Sequence, residues 1–518
     1  MELASNLPPR RAMLNQSLFI RLLCCLAIAL VIGAALVEPQ AAARAIDAAR
    51  TFVTRYFTWY YALLATLALA TCLWLAGGRY GRIVIGGAGA RPAYGRFAWY
   101  SMLFACGQGV GLIFWSVAEP VMLLSGSPLA QADLGTRLGM AMSWSYFHWS
   151  IHAWAIYCVV AVALAYFGYN LGRPATFRDA CRECLPRAFA SSAAVLVESL
   201  AILATVLGLS TSFGFAAIQF ISGLDTLLGA GNTPLLRAVV VLALTLLTAA
   251  SVFVGVNKGM KLISEFNTML SLVLMGAVFV MGPTVFILSL LLDSLGHYLP
   301  NLLRMGLWSE TATQLGEVGD WRESWSGWWT VFIWSWTLSF SPFVGAFIAR
   351  ISHGRTLREF VLGVVLVPSL IVIVWISIMG GAALHQELTQ GGAIGQAVSS
   401  DVSQGLFALI DGLGLAGFGK LLLSVATLLV ATYFVTSLDS GVHALSGFAS
   451  DSSKPSTAFR VLLTLAIGTV TLVLLTLGGE DALSTVQTAA ILGALPFSLI
   501  CLMLVVNFVR QLGREPRP

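Results

Sequence analysis

Six aromatic and imidazole side chains crowd one short stretch: Phe147, His148, Trp149, His152, Trp154 and Tyr157. Aromatic faces attract cations, each contributing roughly 0.5–2 kcal/mol, and a turn's spacing lets several wall a pocket for a quaternary ammonium head group. The same pattern also serves ordinary packing, since the chain holds 15 Trp. His148 and His152 stand at i and i+4 on one helix face, the spacing of a metal pair in a membrane enzyme. Such sites need more ligands, and the other four of the six histidines, His297, His353, His385 and His443, are dispersed. A second stretch, Gly107-Gln108-Gly109-Val110-Gly111, is followed by Glu119-Pro120. Alternate glycines either let helices pack closely or let the backbone unwind and offer carbonyl oxygens to a cation. A third, Tyr433 to Ser440, sets the hydroxyls of Thr436 and Ser437 side by side. They can ligate sodium with such carbonyls or bond back to their own helix. Cys181 and Cys184 form one C-x-x-C pair among eight scattered cysteines, which implies neither a disulfide framework nor a metal site.

The elements that must position these residues follow from composition. Hydrophobic residues make up 58% of the 518 and charged residues 10%, with a mean hydropathy of +0.85. Soluble domains carry roughly 25% charged residues, so this chain cannot cover a water-facing surface. Apolar stretches of about 20 residues recur, each long enough for a bilayer core roughly 30 Å thick. The reading is an all-α integral membrane protein with about twelve spans. They fall near 16–37, 57–76, 98–125, 138–167, 192–222, 234–254, 266–292, 328–349, 359–382, 418–442, 458–478 and 486–508. Residues 257–267, with Lys258, Lys261 and Glu265, read as a short amphipathic helix on the membrane face.

Charge tests the map. Arg10, Arg11, Arg79, Arg82, Arg91, Arg96, Arg173, Arg178, Arg182, Arg187, Arg350, Arg355, Arg358, Arg510, Arg514 and Arg517 all fall on one side. That side is expected to be cytoplasmic, which puts both termini there and explains the net charge of +5 without nucleic acid. The segment 293–327, with Glu310, Glu317, Asp320, Arg322 and Glu323, is then an outer loop or cap. The first apolar run follows two arginines and is long enough to be a span rather than a cleaved signal. No enzyme is expected, because the ligand clusters of a membrane enzyme are missing from the sequence.

The run from Trp334 to Phe360, WSWTLSFSPFVGAFIARISHGRTLREF, resembles the eighth span and following loop of the betaine/choline/carnitine transporter family. Four further segments resemble the same family in order: Phe114 to Pro120, His148-Trp149 to Tyr157, Gly255 to Gly259, and Phe434 to Ser437. The resemblance implies a secondary transporter with a LeuT-type inverted repeat. The chain then divides into a short cytoplasmic N-terminus (1–15), two peripheral spans (16–97), a first repeat of spans three to seven (98–292), the outer loop (293–327), a second repeat of spans eight to twelve (328–508) and a short tail (509–518). It also implies a homotrimer in a cell membrane, most simply a bacterial inner membrane. Substrates would be betaine-like quaternary ammonium or related zwitterionic compatible solutes, with sodium as coupling ion and no cofactor. Choline, a less methylated zwitterion such as a taurine- or amino-acid-like solute, proton coupling and exchange stay open as alternatives.

Carried over by residue, Trp149, Trp154 and Tyr157 match three aromatics of the family's substrate box, and Trp334 and Trp336 are retained. Thr337 stands where the family usually has the fourth Trp, and Phe340 where another Trp is common. Gly111 stands where proton-coupled choline members tend to have Asp, which favours sodium and a zwitterion. Gln108 adds an amide that could read a carboxylate or sulfonate. One sodium site would use carbonyls of Ala105, Gln108 and Tyr433 with the hydroxyls of Thr436 and Ser437. The family's other site would use Thr205 and Phe343, but Leu209 replaces its second threonine. The long charged C-terminal helix of osmotically regulated members has no counterpart before Pro518, so transport insensitive to osmolality is expected.

Overall fold

The structure is a computed structural model, and it describes residues 10–107, 109–130, 133–254, 257–311, 324–450 and 455–515. Nearly everything in them is helix: α1 (Arg10–Val37), α2 (Pro39–Gly77), α3 (Arg96–Gly107), α4 (Val110–Gly126), α5 (Leu134–Trp149), α6 (Ile151–Ala165), α7 (Phe177–Cys181), α8 (Ala190–Leu228), α9 (Pro234–Val254) and α10 (Asn257–Met281). After them come α11 (Thr284–Gly306), α12 (Trp325–Trp328), α13 (Thr330–Ile351), α14 (Leu357–Thr389), α15 (Ala393–Ser400), α16 (Gly405–Gly412), α17 (Ala416–Phe448), α18 (Thr457–Gly478) and α19 (Ala482–Leu512). In hydrocarbon every backbone N–H and C=O must be paired within the chain, and a helix does this locally. Among the described residues, twelve helical stretches are long and apolar enough to cross a membrane. The protein is an all-helical, multi-pass membrane protein.

The twelve are not quite the twelve read from the sequence. The third expected span is cut into α3 and α4 at the glycine run, so neither piece counts as a full crossing helix. The seventh is corrected: residues 266–292 are not one helix. Gly282 and Pro283 end α10 at Met281, because a proline has no N–H and forces its predecessor out of the helical region. A further 23-residue helix, α11, runs across the expected boundary at 292 between the seventh span and the outer loop. Residues 257–267 are likewise not a separate amphipathic helix but the first turns of α10. Residues 312–323, with Glu317, Asp320, Arg322 and Glu323, lie outside the described residues.

Packing partners come in swapped pairs. α13 packs on α6 as α14 packs on α4, and α19 packs on α8 as α10 packs on α17. Likewise α18 meets α8 as α9 meets α17, while α8 with α17 and α9 with α18 join like positions. Each contact of the first set thus has a counterpart in the second. α1 and α2 stand outside these pairs and lean on α8, α6 and α19. Small residues allow the closest crossings: a Cβ at Gly345 of α13 would lie 2.6 Å from Val160 Cγ1 of α6. α6 is buried along almost its whole length, with apolar residues on every face, as befits a helix at the centre.

Candidate functional site

The central helices leave a cavity of about 520 Å³ of empty space, partly open, at their irregular points. Gly109 and Gly111 at the start of α4 form one edge. Trp149, the last residue of α5, and Tyr157 of α6 form a second. Trp336, Thr337 and Phe340 of α13 form a third, and Ser212 of α8 and Ser437 of α17 complete it. The fourth span kinks at Ser150 (φ −109°, ψ −117°), immediately after Trp149. A kink there turns the side chain before it toward a different neighbour than a straight helix would.

Each tryptophan in this wall is held by a hydrogen bond at its indole nitrogen. Trp149 Nε1 donates to Glu119 Oε2 at 2.6 Å. The other oxygen of the fully buried Glu119 accepts from His148 Nδ1 at 2.6 Å, and His148 Nε2 lies 3.3 Å from Thr330 Oγ1. Trp336 Nε1 donates to Ser212 Oγ at 3.0 Å. The two rings meet edge to face, with centroids 5.8 Å apart at 85°, and Phe340 meets Trp336 at 6.2 Å and 89°. Both tryptophans press on Gly111: a Cβ there would lie 2.7 Å from Trp336 Cη2 and 3.1 Å from Trp149 Cη2. Gly111 is therefore needed for close approach of the rings. An Asp at this position would displace both.

The cation candidates divide. Ser437 lines the cavity, and its hydroxyl lies 3.2 Å from where a Cβ on Gly109 would stand, so it faces the broken backbone of the third span. Thr436 Oγ1 bonds back to the carbonyls of Thr432 at 3.1 Å and Tyr433 at 3.0 Å, while also accepting from Asn267 Nδ2 at 3.4 Å. Tyr433 reaches Ser271 of α10 through its hydroxyl at 3.0 Å. Ala105 lies in the last turn of α3, and Gln108 lies outside the described residues. Thr205 is buried in α8 with its hydroxyl bonded to Ala201 O at 2.9 Å. Phe343 packs on Phe340 with centroids 5.0 Å apart. Neither Thr205 nor Phe343 lines the cavity.

Trp154 is not on the cavity wall either. It is fully buried against Tyr157, edge to face at 5.6 Å, and its indole N–H has no partner among the described residues. Five residues, about 1.4 helical turns, separate it from Trp149, and the kink at Ser150 falls between them. Ser212, by contrast, belongs to the wall and was missed, because Ser210, Thr211 and Ser212 stand in a row and nothing in the sequence says which faces inward. Glu119 acts as the buried clasp of Trp149 rather than as a wall residue. His148 is committed to Glu119 and Thr330, and His152 packs between Phe147 and Trp334. Cys181 and Cys184 bond to the carbonyls of Ile500 and Met503 on α19, and burial pushes both thiols up, away from reactivity.

Residues 19–517 match the family described as betaine/carnitine/choline family transporter. The chain belongs to this family. It is a transporter and not an enzyme. Among the family's members, glycine betaine transporter 1 of Vibrio parahaemolyticus is 36% identical, over 94% of this chain and 92% of its own. The glycine betaine transporter OpuD of Bacillus subtilis is 34% identical, over 93% and 91%. The ectoine/hydroxyectoine transporter of Virgibacillus pantothenticus is 33% identical, over 89% and 90%.

Proposed function

We propose that this chain is a sodium-coupled secondary carrier of a small zwitterionic compatible solute, with betaine-like compounds as the first candidates. The observation that carries the reading is the pair of fixed indole rings, Trp149 and Trp336, converging on Gly111 at a cavity that also presents the hydroxyls of Thr337 and Ser437. Two electron-rich faces suit a methylated ammonium, each worth about 1–2 kcal/mol in a dry site. Hydroxyls beside them suit the hydrogen-bonding end of the same molecule or a head group with fewer methyls. The names of the three relatives, two for glycine betaine and one for ectoine and hydroxyectoine, support the class. Choline is the second reading, and the space denied at Gly111 counts against it. No carboxylate fits there to balance a cation that carries no anion of its own.

Trp149, Tyr157, Trp336, Thr337, Phe340 and Gly111 would form the substrate site. Thr436 and Ser437, with backbone carbonyls of Tyr433 and of the broken third span, would hold sodium. The swapped packing of α4 with α14 and α6 with α13 supports a LeuT-type inverted repeat that rocks about this site. Both termini would be cytoplasmic, in a bacterial inner membrane, and three copies would assemble.

The test is uptake of labelled glycine betaine into proteoliposomes, with an inward sodium gradient or with potassium in its place. Saturable uptake that needs sodium is the expected result. Uptake that is equal in both cations removes the coupling. Absence of betaine uptake, with uptake of a less methylated zwitterion, moves the substrate toward the hydroxyl wall.

A further inference from the structure

α10 packs on α17, and two hydrogen bonds between side chains join them. One rung joins Ser271 Oγ to the Tyr433 hydroxyl at 3.0 Å. The other joins Asn267 Nδ2 to Thr436 Oγ1 at 3.4 Å. Asn267 is 2% exposed, and its amide oxygen has no hydrogen-bond partner among the described residues. Buried polar atoms are nearly always paired, so an unpaired amide oxygen asks for an explanation. This one sits on the far end of the amide group that touches Thr436.

Thr436's hydroxyl has one proton and two lone pairs. The proton goes to a helix carbonyl, Thr432 O or Tyr433 O. One lone pair accepts from Asn267, which leaves one for an ion. The Asn267 contact is at the long end of hydrogen-bond distances and so is easily surrendered. The terminal amide of an asparagine turns readily about χ2, which exchanges nitrogen for oxygen at the same neighbour. Hard cations take amide oxygens as ligands alongside hydroxyls and backbone carbonyls. An N–H facing Thr436 is the right end for an empty site, and an oxygen is the right end for a filled one.

Resting on the sodium-coupled reading above, we propose that Asn267 is a further cation-site residue. Its N–H orients the Thr436 hydroxyl while the site is empty, and its amide oxygen turns to the ion when the site fills. Cation occupancy is thereby coupled to the α10–α17 contact, because the same side chain serves both.

The experiment measures the sodium concentration giving half-maximal uptake, at saturating substrate, for wild type, Asn267→Leu, Asn267→Asp and Ser271→Ala in proteoliposomes. Leucine removes both ends of the amide and should raise the sodium requirement at least fivefold, with the substrate half-saturation at saturating sodium unchanged. Aspartate keeps an oxygen and loses only the N–H, so its requirement should equal or fall below that of wild type. Ser271→Ala breaks the neighbouring rung and should stay within twofold. A purely structural latch makes leucine and aspartate alike and alanine at 271 comparable, and that result overturns the proposal. So does a leucine variant within twofold of wild type. If the leucine variant does not fold, a fivefold rise in aspartate alone overturns it. Uptake by wild type that ignores sodium refutes the coupling reading instead, which the first column of the same data shows.

Discussion

Thr436 and Thr205 are both threonines in long membrane helices, and both hydroxyls bond back to their own helix. Around Thr436 the neighbours are polar and irregular: Ser437 on the cavity, the break of the third span beside it, and Asn267 across the helix contact. Around Thr205 the next turn carries Leu209, which is buried and crowds α17. A Cβ at Gly441 would lie 2.6 Å from Leu209 Cδ1, so the leucine fills the space between α8 and α17. A hydroxyl lone pair matters for an ion only where other oxygens converge and water can deliver the ion. The first region places polar groups beside the cavity, as the proposed ion site requires, and the second has a well-packed apolar contact in their place. The lesson is that a ligand set is a property of a place, and a leucine where the family resemblance implies a second threonine makes a different place.

Five measurements break or sharpen this contrast. Replacing Thr436 and Ser437 together with alanine removes two oxygens of the proposed sodium site, each worth about 1–2 kcal/mol, and should raise the half-maximal sodium concentration roughly 30-fold or more. Trp149→Ala removes one aromatic face from the cavity and should raise the substrate half-saturation about 10-fold while leaving the sodium requirement within about twofold. Glu119→Gln keeps the shape of the Trp149 clasp but leaves one oxygen where two meet His148 and Trp149, so the substrate half-saturation should rise about 3- to 5-fold. Leu209→Thr restores a hydroxyl one turn from Thr205. It should steepen the sodium dependence of uptake, at a stability cost of about 1–2 kcal/mol from lost packing, read as a lower midpoint of thermal unfolding in detergent. Thr205→Ala should be the quietest, with a sodium requirement within about twofold of wild type, because its hydroxyl already bonds to Ala201 O. A large effect at Thr205 with none at Thr436 and Ser437 would reverse the comparison.

Much of the site was legible in the chain. Glycine at 107, 109 and 111 marks the break of the third span, and the structure does end α3 at Gly107 and start α4 at Val110. Trp149, Tyr157, Trp336, Thr337, Phe340 and Ser437 do line one cavity, although they come from four helices. That Trp154 lies off this cavity and Ser212 lines it could not be read from the chain, for the same reason. α6 and α8 are apolar over most of their surface, so hydrophobic periodicity does not distinguish the face toward the cavity from the faces toward other helices. The clasp from Glu119 to Trp149 spans 30 residues and two helices, and no local pattern announces it.

By itself the sequence determined the class, most of the long apolar helices and the family, but not the break between α10 and α11. Those depend on composition, on runs of apolar length and on motifs that are local in the chain. It also placed the residues able to do chemistry within a turn or so of their neighbours. The tertiary structure decided which of them share a space. It set the kink at Ser150 that parts Trp149 from Trp154, the end of α10 at Gly282-Pro283, and the closeness of Trp336 and Trp149 over Gly111. It also brought Asn267 to Thr436, across 169 residues of chain. Inside a bilayer nearly every helix face is apolar, so the direction a side chain points is fixed by the neighbour it meets, and the neighbour is known only when the helices are assembled.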